Sequence, residues 1–245
     1  MDLNLLRFNY ESSLRELIDT DFIDGEDKYS GVFLSYPFPE YESTKKRVMI
    51  VGRETAGWNT KNGKNTILRI VERNEEKDTQ ATINEAFERY SWHLLDKKGG
   101  VLKRAHRSHF QRFYHQVANR LGLKPQELIY ANLFAWDYDG RSPTIRSKKE
   151  FEVVQNVSVK LLAESINFCK PEIIIFAVGC NVTNDETIKL LMNEFFGGYN
   201  TTELVSKKYW RFSGAGMDCF RIAHPRASSS EHQKYRSLVL ENVCR

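Results

Sequence analysis

The sequence has no apolar run that approaches the ~20 residues a membrane-spanning helix needs, so we expect no membrane partner. Its first residues carry an acid, Asp2, and no long apolar core, which argues against a signal peptide. Internal repeats and low-complexity tracts are absent as well. The 245 residues are therefore expected to form one globular, cytoplasmic domain.

Cysteine is scarce. The four cysteines show no Cys-x-x-Cys spacing, and three of them lie in or beside apolar segments: Cys169, Cys180 and Cys219, with Cys244 near the end. This pattern favours free thiols over disulfides. It argues against a structural zinc site or an iron–sulfur cluster, and we expect neither a metal nor a cofactor.

Strong net charge is also lacking. The formal charge is +4, from 36 Lys and Arg against 32 Asp and Glu, which permits a nucleic-acid partner without demanding one. A predicted helix at residues 104–121 carries a basic face that could follow phosphates or simply be solvated: Arg104, His106, Arg107, His109 and Arg112.

The apolar pattern predicts an α/β fold. Four segments are typical of buried strands: residues 47–52, 128–134, 171–179 and 217–223. A short edge strand is predicted at 209–212, and further helices at 2–20, 81–96, 148–168, 184–196 and 231–243, the last capped by Ser229 or Ser230. Residues 59–80 are polar and indicate a surface insertion or a lid with a short helix.

We therefore expect one domain over 1–245 with a short, mainly parallel, four-stranded sheet between helices. The first 40 residues form a helical and extended extension of unassigned role. Each main strand runs into a loop with a distinctive residue: Glu54 after Gly52, Asn132, Gly179 and His224. Because the carboxyl ends of parallel strands share one rim, these loops should converge on one site.

The four strand ends, in this order, resemble the uracil-DNA glycosylase superfamily. The stretches that carry the resemblance are Val51-Gly52-Arg53-Glu54, Tyr130-Ala131-Asn132-Leu133, Pro171 to Gly179, and Ala223-His224-Pro225. They span about residues 47 to 230. The resemblance implies a three-layer αβα fold, and an enzyme that flips a nucleotide out of DNA and cleaves its N-glycosidic bond without a metal.

The resemblance also implies roles for single residues. Glu54 would orient or deprotonate water and stabilise the oxocarbenium-like sugar, and His224 would stabilise the departing base anion. Asn132 would read the flipped base. Gly52 and Arg53 would also contact the substrate. The family's stacking phenylalanine is missing here, and Trp58, Phe134 or Trp136 would take its place. Arg226, Ser228 and Ser229 would contact DNA phosphates.

Several departures from the family pattern bear on the substrate. Glu54 replaces the usual Asp or Asn, Thr55 replaces a common proline, and Arg226 follows His-Pro where a small residue is usual. The excised base is therefore either uracil-like or a modified pyrimidine. Some superfamily members act against phages by excising modified bases, and an antiviral role is one possibility alongside repair.

Two other function classes stay open at this point. Asp137 and Asp139, with Glu54, could bind Mg²⁺ in a metal-dependent nuclease or phosphohydrolase. Alternatively, the chain is a non-catalytic DNA-binding module on the same fold. We expect DNA as the partner and a monomer as the oligomeric state.

Overall fold

A computed structural model describes residues 1–18, 20, 28–58, 66–73, 76–96, 102–103 and 108–244. Within these residues the chain forms seven α-helices and six β-strands, which confirms the α/β class. In chain order they are α1 (Leu3–Arg15), β1 (Val48–Gly52), α2 (Thr66–Arg73), α3 (Glu76–Ser91), α4 (His109–Leu121), β2 (Ile129–Asn132), α5 (Lys148–Cys169), β3 (Ile173–Phe176), α6 (Val182–Phe196), β4 (Asn200–Val205), β5 (Tyr209–Gly214), β6 (Met217–Ile222) and α7 (Ser230–Val243).

The chain divides into two compact units, each drawn from three stretches of sequence. The first unit comprises Met1–Tyr36, Glu54–His93 and Asn132–Phe168. The second comprises Pro37–Arg53, Leu94–Ala131 and Cys169–Arg245. A single domain over 1–245 stays a prediction.

The sheet belongs to the second unit and has the strand order β2-β1-β3-β6-β5-β4. Strands β1, β3 and β6 are parallel neighbours, whereas β5 and β4 add to them antiparallel. The prediction of a four-stranded, mainly parallel sheet is therefore wrong: the sheet has six strands and is mixed. Residues 209–212 lie in β5, which is an interior strand and not the edge.

Burial explains which strands the sequence reveals. Every residue of β1 and β3 is buried, as continuous apolar runs predict. In β4, five of the six residues are exposed and the last is intermediate, because this edge strand pairs on one side only. It therefore carries no apolar alternation that would have indicated a strand.

The first unit is mainly helical. The apolar face of α1 is buried in its core, where Leu6, Tyr10 and Leu14 pack in one cluster with Ile83 and Phe87 of α3. Tyr29, Val32 and Leu34 belong to the same cluster. The helix at 2–20 is shorter than predicted, since it begins after the cap Asp2 and ends at Arg15.

Two predicted helix ends are confirmed in the second unit. Gly122 ends α4 with a φ of 66°, a conformation that glycine adopts without strain. The Ser229 hydroxyl accepts a hydrogen bond from the His232 backbone N–H and caps α7. Residues 104–107 of the predicted basic helix lie outside the described residues, and α4 begins at His109. No described helix is long and apolar enough to cross a membrane.

Candidate functional site

The parallel register of the second unit brings three strand ends to one rim. Val51 of β1 pairs with Phe176 of β3, and Phe176 pairs with Arg221 of β6. Because the three strands are parallel and in register, the residues that follow these partners leave the sheet at the same edge. Two positions beyond Val51 and Arg221 stand Arg53 and Ala223, and His224 follows directly.

His224 is partly buried and has one of its ring nitrogens engaged. The backbone N–H of Arg226 lies 3.1 Å from His224 Nδ1. A nitrogen that accepts a hydrogen bond carries no proton, so in the neutral ring the proton resides on Nε2. We infer this tautomer from the bonding pattern. The loop therefore fixes His224 as a donor through Nε2.

The surroundings of His224 keep its ring uncharged. Burial lowers the pKa of His224 to about 4, assisted by the positive charges of Arg53, Arg226 and Arg236 and by the neighbouring His109. All of these groups belong to the second unit. Near neutral pH the site therefore presents a neutral N–H donor within a positive potential, which suits an acceptor that gains negative charge.

Hydrogen bonds to the backbone shape the loop after His224. The Ala227 N–H donates to the His224 carbonyl at 2.8 Å, and Arg236 of α7 donates to the Ala227 carbonyl at 2.8 Å. The side chain of Gln233 donates to the Ser228 carbonyl. Among the predicted DNA contacts, the Ser229 hydroxyl thus serves as a helix cap, and the exposed Arg226 and Ser228 lie in the same loop.

A buried ion pair stands three residues before His224. Arg221 is fully buried; its Nη2 donates to Asp185 Oδ2 at 3.0 Å, and its Nε lies 2.8 Å from Asp185 Oδ1. Burial raises the pKa of Asp185, although Arg221 opposes that shift. Next to Asp185, Asn184 donates to the Val178 carbonyl. The first turn of α6 therefore ties together the ends of β3 and β6.

In the first unit, Asp137 organises the turn that follows Glu54. One carboxylate oxygen accepts from the Thr55 hydroxyl at 2.5 Å and from the backbone N–H groups of Gly57 and Trp58. The other oxygen accepts from the Gly140 N–H at 2.9 Å. Gly57 has a φ of 76°, which explains the glycine at this turn. Glu54, which is partly buried, opens a turn of fixed shape.

Asn132 in the same unit is one of several buried residues with an unsatisfied polar side-chain atom; Ser13 and Thr82 are others. The exposed fraction of Asn132 is 5%, and neither its amide nitrogen nor its amide oxygen has a hydrogen-bond partner among the described residues. A buried amide without partners costs roughly 1–3 kcal/mol, and such exceptions in a native fold call for an explanation. An amide held ready for a ligand would account for it.

The aromatic candidates separate clearly by burial. Phe134 and Trp136 are fully buried; Phe134 packs edge-on against Phe151, and the Trp136 indole N–H donates to Thr66. Neither offers a ring face to a base in this structure, so their predicted stacking role is not supported. Trp58 is partly exposed and is the one of the three that presents surface.

Asp137, the central ligand of the magnesium hypothesis, is not placed to bind a metal ion. Asp137 is fully buried, and both of its oxygens accept hydrogen bonds from its own surroundings. The described residues contain no group of three or more His, Cys, Asp or Glu side chains placed to hold a metal ion. Asp137 is instead the organiser of its loop.

Two residues of the candidate site, Arg236 and Asp137, have roles that the sequence did not predict. Arg236 sits inside α7 without any motif, and only the folded structure brings its charge near His224. The role of Asp137 was missed because an Asp-x-Asp loop usually indicates a solvated turn. Comparison of the sequence with protein-family models and with curated proteins gives no match.

Proposed function

We propose that this protein is a DNA N-glycosylase that flips out a uracil-like or modified pyrimidine nucleotide and releases its base, leaving an abasic site. The observation that carries the proposal is the state of His224. Its ring is neutral, its Nδ1 accepts from the Arg226 N–H, and the positive charges of three arginines lie near it. Such a group donates a hydrogen bond to a forming anion without giving up its proton.

The chemistry can be followed bond by bond. As the bond between the sugar C1′ and the base nitrogen breaks, the bonding electrons leave with the base, whose oxygen accepts from His224 Nε2. Positive charge builds on the sugar ring, and the Glu54 carboxylate stabilises it. A water oxygen then bonds to C1′ and loses a proton to Glu54. The amide of Asn132 reads the edge of the flipped base.

DNA is the partner in this proposal. The exposed loop with Arg226, Ser228 and Ser229 would contact phosphates, and Gly52 and Arg53 would lie beside the flipped nucleotide. The three-layer αβα arrangement and the membership in the uracil-DNA glycosylase superfamily are parts of the same proposal. Glu54 and Arg226 depart from the family pattern, which favours a modified pyrimidine, such as those in phage DNA, over plain uracil.

The test is to score abasic sites after incubation with uracil-containing, deaminated and phage-modified duplexes. We expect abasic sites in at least one duplex, unaffected by EDTA, and a loss of at least about 100-fold in His224→Gln. A matched control is His232→Gln, a histidine of α7 outside the proposed machinery. Strand cleavage that EDTA abolishes would favour a metal-dependent nuclease, and DNA binding without any abasic site would favour a non-catalytic module.

A further inference from the structure

Three flat side chains form a stack in the first unit. The guanidinium of Arg89 lies 5.4 Å from the ring centroid of Trp58 and 5.5 Å from that of Trp92. Arg89 lies on α3, and Trp92 directly follows this helix. All three residues are partly exposed, so part of the stack is open to solvent.

The stack is held in place at Trp58. The Trp58 backbone N–H donates to Asp137, and its carbonyl accepts from the Gly31 N–H at 2.9 Å. The ring of Phe33 packs against the indole with 5.1 Å between centroids and 60° between planes. A surface that is already ordered loses little conformational entropy when it binds a ligand.

The charge of Arg89 also bears on the partner. None of the described carboxylates lies within ion-pair distance of Arg89. An arginine that lies on aromatic faces and pairs with none of the described carboxylates combines a positive charge with a flat surface. A nucleic acid carries the complementary features, since its phosphates are negatively charged and its bases have flat faces that stack.

We propose that Trp58, Arg89 and Trp92 form a stacking platform for unpaired bases of DNA, so that the protein binds single-stranded or locally unpaired DNA in preference to duplex. The proposal takes DNA as the partner from the proposed function. Base faces are covered by their neighbours in a duplex and become available only where the strand is unpaired, which gives the preference its physical cause.

Tryptophan fluorescence tests this directly. The protein has four tryptophans, and two of them, Trp136 and Trp210, have exposed fractions of 0% and 2%. Titration with a thymidine 20-mer should therefore quench Trp58 and Trp92, whereas the same strand paired with its complement should quench much less. The Trp58→Phe, Trp92→Phe double variant should lose most of the quenching.

Affinity provides the second readout. Trp92→Ala should weaken binding of the thymidine 20-mer by about tenfold, the effect of losing one stacked base, and Trp92→Phe should restore most of it. The matched control is Phe8→Ala, an aromatic of α1 in the same unit with an exposed fraction of 68%, which should bind as the wild type does. Thermal unfolding checks that each variant is folded.

The outcomes separate this inference from the proposed function. Equal quenching by single strand and duplex, or unchanged affinity in Trp92→Ala, would overturn the platform even if bases are released. Quenching and a tenfold loss in a protein that releases no base would support the platform and overturn the glycosylase.

Discussion

Asp137 and Asn132 are five residues apart in the first unit and equally deep in it, with exposed fractions of 0% and 5%. Asp137 accepts four hydrogen bonds from Thr55, Gly57, Trp58 and Gly140, while neither polar atom of Asn132 has a partner in the part of the chain that the structure describes. The first holds its own loop together, whereas the second leaves its hydrogen-bonding capacity unused. Two buried polar side chains can therefore differ completely in their hydrogen bonding, and the unsatisfied one calls for an explanation.

The largest effect should come from Asp137→Ala. It removes the acceptor of four hydrogen bonds at once, and one of the donors is the buried Thr55 hydroxyl. We therefore expect the free energy of unfolding to fall by about 3–5 kcal/mol, measured by urea denaturation. The control is Asp139→Asn in the same loop: this residue is exposed with a φ of 50°, which Asn tolerates, and stability should change by less than about 0.5 kcal/mol. A similar loss in both variants would mean that Asp137 is not the organiser.

Asn132→Ala should show the opposite profile. Removing the amide relieves the cost of burying it unpaired but leaves a cavity, so the free energy of unfolding should change by less than about 1 kcal/mol. Base release should nevertheless fall by about 100-fold because a reading contact is lost. Denaturation and abasic-site assays on one preparation check both. If Asn132→Ala were as unstable as Asp137→Ala, the contrast between the two residues would fail.

His224 is intermediate between Asp137 and Asn132 in its hydrogen bonding, since one ring nitrogen accepts a hydrogen bond and the other is a donor. Its pKa of about 4 is below the ordinary value of about 6.5. The unfolded chain thus binds more protons between these values. The contribution of His224 to stability should therefore be complete above about pH 6.5 and be lost as the pH falls towards 4. Titration of the ring signals by NMR measures the pKa.

The smallest effect should come from Arg226→Gln. This change keeps the backbone N–H that donates to Nδ1 but removes one nearby cation. The pKa of His224 should rise, but only modestly, because burial is the largest cause of its shift. The same NMR titration detects it. A rise to the ordinary value would show that charge, and not burial, keeps the ring neutral.

The sequence predicted those parts of the fold that short-range patterns encode. Continuous apolar runs indicated β1 and β3, and a glycine and a serine indicated the ends of α4 and α7. It could not reveal β4, whose exposed residues follow no apolar period. The burial of Phe134 and Trp136 could not be predicted either, because the sequence of an aromatic at a strand end is the same whether its side chain faces the core or a ligand.

The most direct test of the account is mass spectrometry of bases released from a panel of plain, deaminated and phage-modified DNAs. The wild-type protein should release one pyrimidine, modified or uracil-like, and Glu54→Gln and Asn132→Ala should release far less of it while remaining folded. Release of no base from any DNA, or undiminished release by both variants, would contradict the account.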